Sequence, residues 1–293
     1  MVACDEADTR LIPVQRMRPG DHTFVSYGDD DAWREVLAAV IGVGLMHGEK
    51  VMVVADGRPE DEVLGRLDDH TRIMVHARDR GQLVLSSVGT LIGPDLPYTP
   101  ERHMGRLMEE TGLAIRQGYT GLRTFTDMAW VQARAADIAS MIHRETHTDH
   151  LFTDRPYSEL CAYDRRWFPE GTLDFMCRAH PRNLLARLGE LRAVHAGDSV
   201  RLIGEADLNT RDQFIEALNH GLARTTASRR LTVDLTQLCF LSTGCATGLL
   251  LACNAAGHEL IEVHCDPSQA AALRRLGAGT VRQLALVEVR VRC

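Results

Sequence analysis

No stretch of the 293-residue chain approaches the ~18 consecutive apolar residues that a membrane-crossing helix needs. The opening residues, MVACDEADTR, carry neither a basic region nor an apolar run, so no secretory leader is read there. No long run of Lys or Arg occurs and the formal net charge is −7, so the electrostatic footprint of a nucleic-acid or anionic-membrane partner is missing. The eight cysteines include no CxxC pair, so the tight pair with a second matching pair that a zinc site would want is missing. They read as reduced, small apolar residues, and the chain is expected to be cytoplasmic. GxxxxGK[ST], GxSxG and HExxH are all absent. The chain is therefore expected not to be an enzyme, and neither cofactor nor metal is expected.

What is present is ordinary for a folded protein: 45% hydrophobic and 25% charged residues, over a length that suits two domains. Apolar strand patterns alternate with helical ones. His22–Tyr27 reads as a strand, Ala32–His47 as a helix closed by Gly48, and Lys50–Val54 as a strand covered on both faces. A helix near 59–69, strands at Arg72–His76 and 82–87, and an amphipathic helix over 100–117 follow. A strand over 121–128, a helix over 131–150 and a strand at Glu159–Tyr163 complete the first half. Such alternation predicts a parallel sheet with helices on both sides. After a helical stretch near 183–191, a second series of strands is expected at 200–206, 231–235, 260–265 and 286–291. Helices are expected at 210–224, 243–256 and 267–277. The expected division is a tail over 1–14, a domain over 15–182, a linker over 183–197 and a domain over 198–293.

Three motifs mark the second domain: Leu202-Ile203-Gly204-Glu205-Ala206-Asp207-Leu208, the run Val233–Ser242, and Asp266-Pro267-Ser268 with AALRRLGA after it. In this order they resemble the STAS fold of anti-sigma factor antagonists. In phosphorylated members of that family, a kinase that is also the anti-sigma factor modifies a hydroxyl in an Asp-Ser-Ser/Thr-Gly loop. Here the loop reads Leu241-Ser242-Thr243-Gly244. A gapless alignment puts Thr243 at the acceptor, and alignment on Ser-Thr-Gly puts Ser242 there. Either way the family's Asp is unmatched, and Ser242 could simply cap the following helix. The resemblance implies a partner surface at Asp207, Ser242, Thr243, Gly244 and Thr247. A phosphate there would block docking by charge and bulk.

The first domain carries His22–Tyr27, Gly44-Leu45-Met46-His47-Gly48-Glu49-Lys50-Val51, Gly118-Tyr119-Thr120-Gly121-Leu122-Arg123 with Asp127-Met128, Leu160–Arg166, and His180-Pro181. Together these resemble the MEDS sensory domain of bacterial regulators, which implies a RecA/KaiC-like sheet. The turn where such folds hold phosphate reads Tyr27-Gly28-Asp29-Asp30-Asp31, and its carboxylates would satisfy the helix N-terminus and repel an anion. His22, Tyr27, Arg123 and Asp127 are candidate ligand contacts. His22 and Tyr27 lie an odd number of residues apart on one strand and so point to opposite faces, while Arg123 and Asp127 share one face. His143 and His147 have metal-binding spacing, but the stretch with His150 reads as a solvated polar face.

The expectation that follows is a bacterial partner-switching regulator. Its STAS domain would bind an anti-sigma factor of the GHKL kinase type under control of the sensory domain. The alternative is a small-molecule receptor whose STAS domain only forms a homodimer.

Overall fold

The computed structural model describes residues 10–56, 63, 71–93, 96–133, 138–185, 187–225, 229–257 and 259–289. The helix expected near 59–69 and the tip of the last expected strand lie outside the described residues, apart from Val63. The chain divides into two compact units, one of residues 1–10 and 17–187, the other of 11–16 and 188–293.

The first sheet is built from β1 (Leu11–Ile12), β2 (His22–Tyr27), β3 (Lys50–Val54), β4 (Leu83–Ser86), β5 (Leu122–Asp127), β6 (Tyr157–Asp164) and β7 (Arg182–Leu184). Its order is β1-β7-β2-β6-β5-β3-β4, and the pairings of β2 with β6 and β7, β5 with β6, and β3 with β4 and β5 are all parallel. The central strands are covered on both faces, and every residue of β3, β5 and β6 is buried.

Helix α1 (Asp30–Met46) starts where Asp29 caps it, its carboxylate accepting from Ala32 N at 2.8 Å. It ends at Gly48, whose φ of +72° is a conformation that glycine adopts without strain. Gly44 lets this helix sit on the sheet, because a Cβ there would stand 2.6 Å from Val51 Cγ2. Further on come α2 (Thr71–Asp79), α3 (Val88–Ile92), α4 (Pro100–Arg116), α5 (Trp130–Ala133), α6 (Ile138–Thr146), α7 (Asp149–Phe152) and α8 (Glu170–Ala179).

Three expectations are corrected in this half. Residues 72–76, read as a strand, belong to helix α2: Met74 and Ala77 are buried while Ile73 and Val75 are exposed, which is helical periodicity. The single helix expected over 131–150 is divided among α5, α6 and α7. Of the tail expected over 1–14, residues 1–9 lie outside the described residues, while Leu11–Ile12 form β1 and Val14 opens a 3-10 turn over Val14–Arg16.

The second sheet has the order β12-β11-β10-β9-β8, made of β8 (Leu191–Ala196), β9 (Ser199–Ala206), β10 (Arg230–Leu241), β11 (Leu260–Cys265) and β12 (Leu284–Glu288). Strands β8 and β9 form an antiparallel hairpin, and the rest pair in parallel. Helices α9 (Arg211–Arg224), α10 (Thr243–Ala255) and α11 (Pro267–Arg275) supply Phe214, Leu218, Leu249, Cys253 and Leu273 to a separate core. Residues 183–197, expected to be a helical linker, hold β7 and β8 instead. Of the leucines of NLLARLGEL, Leu184 and Leu191 lie in strands, whose partners a local helical pattern does not reveal.

Candidate functional site

Strand pleating decides what meets what in the first unit. His22 stands opposite Glu159 and Phe24 opposite Cys161 in the β2–β6 register, so these four side chains share one face with Tyr157 and Tyr163. Helix α6 lays Arg144 and Glu145 on that face, and His180 reaches it from the end of α8.

There the side chains converge. Glu145 Oε2 lies 3.2 Å from His22 Nε2, 3.1 Å from His180 Nε2 and 3.4 Å from Cys161 Sγ, and that Sγ is 3.5 Å from His22 Nε2. One donor atom from each of the four residues falls within 4.8 Å of the others, and all four residues are buried. The other carboxylate oxygen of Glu145 accepts from Arg144 at 2.6 Å. The second Nη of Arg144 grips both oxygens of Glu159, at 2.7 and 2.6 Å, and Thr126 Oγ1 donates to Glu159 at 2.9 Å. His180 Nδ1 donates to the Met176 carbonyl at 2.7 Å, and Thr148 Oγ1 stands 3.5 Å from His22 Nδ1.

The electrostatics follow from burial. Desolvation alone would raise the Glu145 pKa, but Arg144 and hydrogen bonds from His180 and His22 outweigh it and hold the carboxyl well below its usual range. Burial, aided by His180, lowers the pKa of His22 against the pull of Glu145. Burial and the two carboxylates push the Cys161 thiol up. Chemically, this is a set of two imidazoles, a thiol and a carboxylate, the donor types that bind zinc and related metals.

Beyond Arg144 lies a second group, where the Tyr98 and Trp130 rings are 4.5 Å apart and His103 is edge-on to both. Tyr98 Oη, both His103 nitrogens and Trp130 Nε1 are buried without a hydrogen-bond partner. Burial, then Arg144, pushes the His103 pKa down to about 3.

Of the four expected ligand contacts, only His22 belongs to this face. Tyr27, Arg123 and Asp127 lie on the opposite one, as pleating requires, and are engaged there. Tyr27 Oη donates to Asp127 at 3.2 Å, and Arg123 binds both oxygens of Glu49, at 2.6 and 3.3 Å, and the Met17 carbonyl at 3.2 Å. A direct Arg123–Asp127 pair, the plain reading of their spacing, is replaced by these two separate contacts. His143, His147 and His150 are exposed, with the first two rings stacked at 4.1 Å. Glu145, Cys161, His180, Arg144, Glu159 and His103 are not among the site residues that the sequence motifs pick out. Cys161, within Leu160–Arg166, and His180, before Pro181, stand in the MEDS-like motifs and are the available signal.

In the second unit, the residues expected to meet a partner do come together. Ser242 N donates to the Ala206 carbonyl at 2.8 Å, and Cys245 Sγ lies 3.4 Å from the Asp207 carbonyl, which sets the 207 loop beside the start of α10. Ser242 Oγ caps α10 by accepting from Cys245 N at 3.2 Å, while Thr243, Gly244 and Thr247 are exposed. The Asp207 carboxylate is used locally, accepting from the Asn209 and Thr210 backbone.

Among the described residues no helix is long and apolar enough to cross a membrane. In comparisons with known proteins, the flagellar accessory protein FlaH from Methanocaldococcus jannaschii is a similar solved structure. It has 12% identity and a TM-score of 0.41 over 70% of this chain and 86% of that one. No curated protein matches the chain. The family profile of the methanogen/methylotroph, DcmR sensory domain (MEDS) matches residues 21–181, just over half of the sequence and the part that holds the buried His–Glu–Cys–His cluster. The chain belongs to the MEDS sensory-domain family.

Proposed function

We propose that the chain is a non-enzymatic signalling regulator of the anti-sigma factor antagonist kind. Its first unit, a RecA/KaiC-like sensory sheet, receives a signal. Its second unit, a STAS-type domain, binds an anti-sigma factor of the GHKL kinase type. The observation that carries this reading is the surface at the start of α10. Thr243, Gly244 and Thr247 are exposed there beside the 207 loop, and Leu208, Phe240 and Leu251 are exposed apolar residues of the same unit. The three STAS-like motifs and the mixed five-stranded sheet support the assignment of the fold. Thr243 is the freer acceptor, since Ser242 Oγ is spent on the cap.

The test is a pull-down of the full chain against the GHKL-type kinases of its own host, with mass spectrometry of residues 231–265. At least one kinase should bind. Thr243→Glu should weaken binding about tenfold or more, roughly 1.4 kcal/mol, and Thr243→Ala should leave it nearly unchanged. Equal affinity of the two variants would remove the phosphoswitch at that position, and no binding to any kinase would remove the antagonist reading. A small-molecule receptor is the second reading, favoured by the orphaned polar atoms of Tyr98, His103 and Trp130. A ligand that co-purifies with the chain, without a protein partner, would support it.

A further inference from the structure

We propose that His22, Glu145, Cys161 and His180 hold a divalent transition metal, zinc by its donor chemistry, at the centre of the sensory unit. Geometry is the first reason. Ligand atoms at ~2.0–2.3 Å from a tetrahedral zinc lie ~3.3–3.8 Å from one another. Four of the six edges, 3.1, 3.2, 3.4 and 3.5 Å, are close to that range, and the other two lie within 4.8 Å before any ion has drawn the donors into place.

The second reason is a buried imidazole nitrogen aimed at the Glu145 carboxylate. The Met176 carbonyl can only accept, so His180 Nδ1 carries a proton, and Nε2 is the nitrogen that faces the cluster. That nitrogen is fully buried and faces Glu145 Oε2 at 3.1 Å. Two bare acceptors do not stay in contact in a dry interior, so a positive centre lies between them, either a second proton on His180 or a bound cation.

Charge is the third. Glu145 and Glu159 set two negative charges against the single positive charge of Arg144, all of them buried. That leaves one buried negative charge uncompensated, which a bound cation would meet. Support for the ligands is already in place. Arg144 fixes one oxygen of Glu145 so that the other points inward, and the Met176 carbonyl fixes the His180 tautomer.

The site rests on the sensory reading only for its purpose. Metal binding is read out directly, so a metal-free protein overturns this site and leaves the partner assay untouched. The experiment is metal analysis of the full chain purified under reducing conditions, followed by chelator stripping and titration with Co2+. About one equivalent should bind, with the intense visible bands of tetrahedral cobalt and a thiolate-to-metal charge-transfer band in the near ultraviolet. Cys161→Ser should abolish the charge-transfer band and weaken binding by more than the roughly 10–100-fold that a supporting residue is worth. The double variant His143→Ala/His147→Ala, which removes the exposed histidine pair, should bind like the parent chain. Failure of the wild type to bind either metal would overturn the proposal. So would a pale six-coordinate cobalt spectrum, or loss of binding in the His143/His147 variant.

Discussion

At the scale of single residues, the first unit stores unusual polarity on both faces of one sheet. Arg123 and Glu49 are buried together beneath α1, so neither charge can turn to water. Glu49→Gln alone strands a guanidinium in a dry interior and should cost about 3–5 kcal/mol in denaturant unfolding. Glu49→Leu with Arg123→Met should recover most of that loss. On the other face His103 gives a pH signature. Its pKa is pushed down to about 3 by burial and Arg144, against the weaker opposing effects of Glu159 and Glu145, so the fold holds the neutral ring. The unfolded chain takes up a proton below ~6.5, so the stability contributed by the neutral ring is complete above that pH and drains away as pH falls toward 3. Between pH 7 and 5 the loss should be about 2 kcal/mol, and His103→Phe should flatten that part of the stability–pH curve. A curve unchanged by the variant would mean that the ring is not desolvated as described.

At the scale of elements, caps and bulges decide where the chemistry is displayed. Strand β10 buries Leu231, Val233 and Leu235, then changes parity to bury Leu238 after a register shift against β9 between Asp234 and Gln237. The shift lengthens the strand to Leu241 and hands the chain to α10 at Ser242. A strict alternation ends at Leu235, so the strand read from sequence stops there. Removing the cap with Ser242→Ala should cost about 1 kcal/mol, whereas Ser242→Asp should stay near wild-type stability because Asp caps well. Thermal unfolding of the two variants separates the capping role of Ser242 from any role as a phosphoacceptor. In the first unit, α6 does for Arg144 and Glu145 what β6 does for Glu159 and Cys161. Each element carries two cluster residues, and neither makes a site alone.

For the whole molecule, the two units have separate hydrophobic cores, one around Leu202, Phe214, Leu235 and Leu249, the other around Leu122, Met141, Tyr157 and Met176. Metal held at the His22 cluster should therefore stabilise one unit only. Calorimetry with and without a strong chelator should show one transition moving down on stripping while another stays in place. At a free-metal concentration about 100 times the dissociation constant, the stabilisation lost is about 2.7 kcal/mol. Both transitions moving together would mean that the units unfold as one.

The sequence by itself determined the α/β class of both halves and most of the strands. Periodicity, caps and turn glycines are local, and they act on the chain wherever it lies. It also determined that His22 and Tyr27 face opposite ways and that Asp29, Asp30 and Asp31 begin a helix, because strand pleating and helix capping span a few residues. Only the tertiary structure decided that Arg123 belongs to Glu49 rather than to Asp127, and that Arg182–Leu184 and Leu191–Ala196 are strands. It alone decided that His22, Glu145, Cys161 and His180 share one point. Their separations in the chain run from 16 to 139 residues for the contacts of Cys161 with Glu145 and His22. No local pattern encodes contacts of that length. Parallel strand order and the packing of α6 onto the sheet do so.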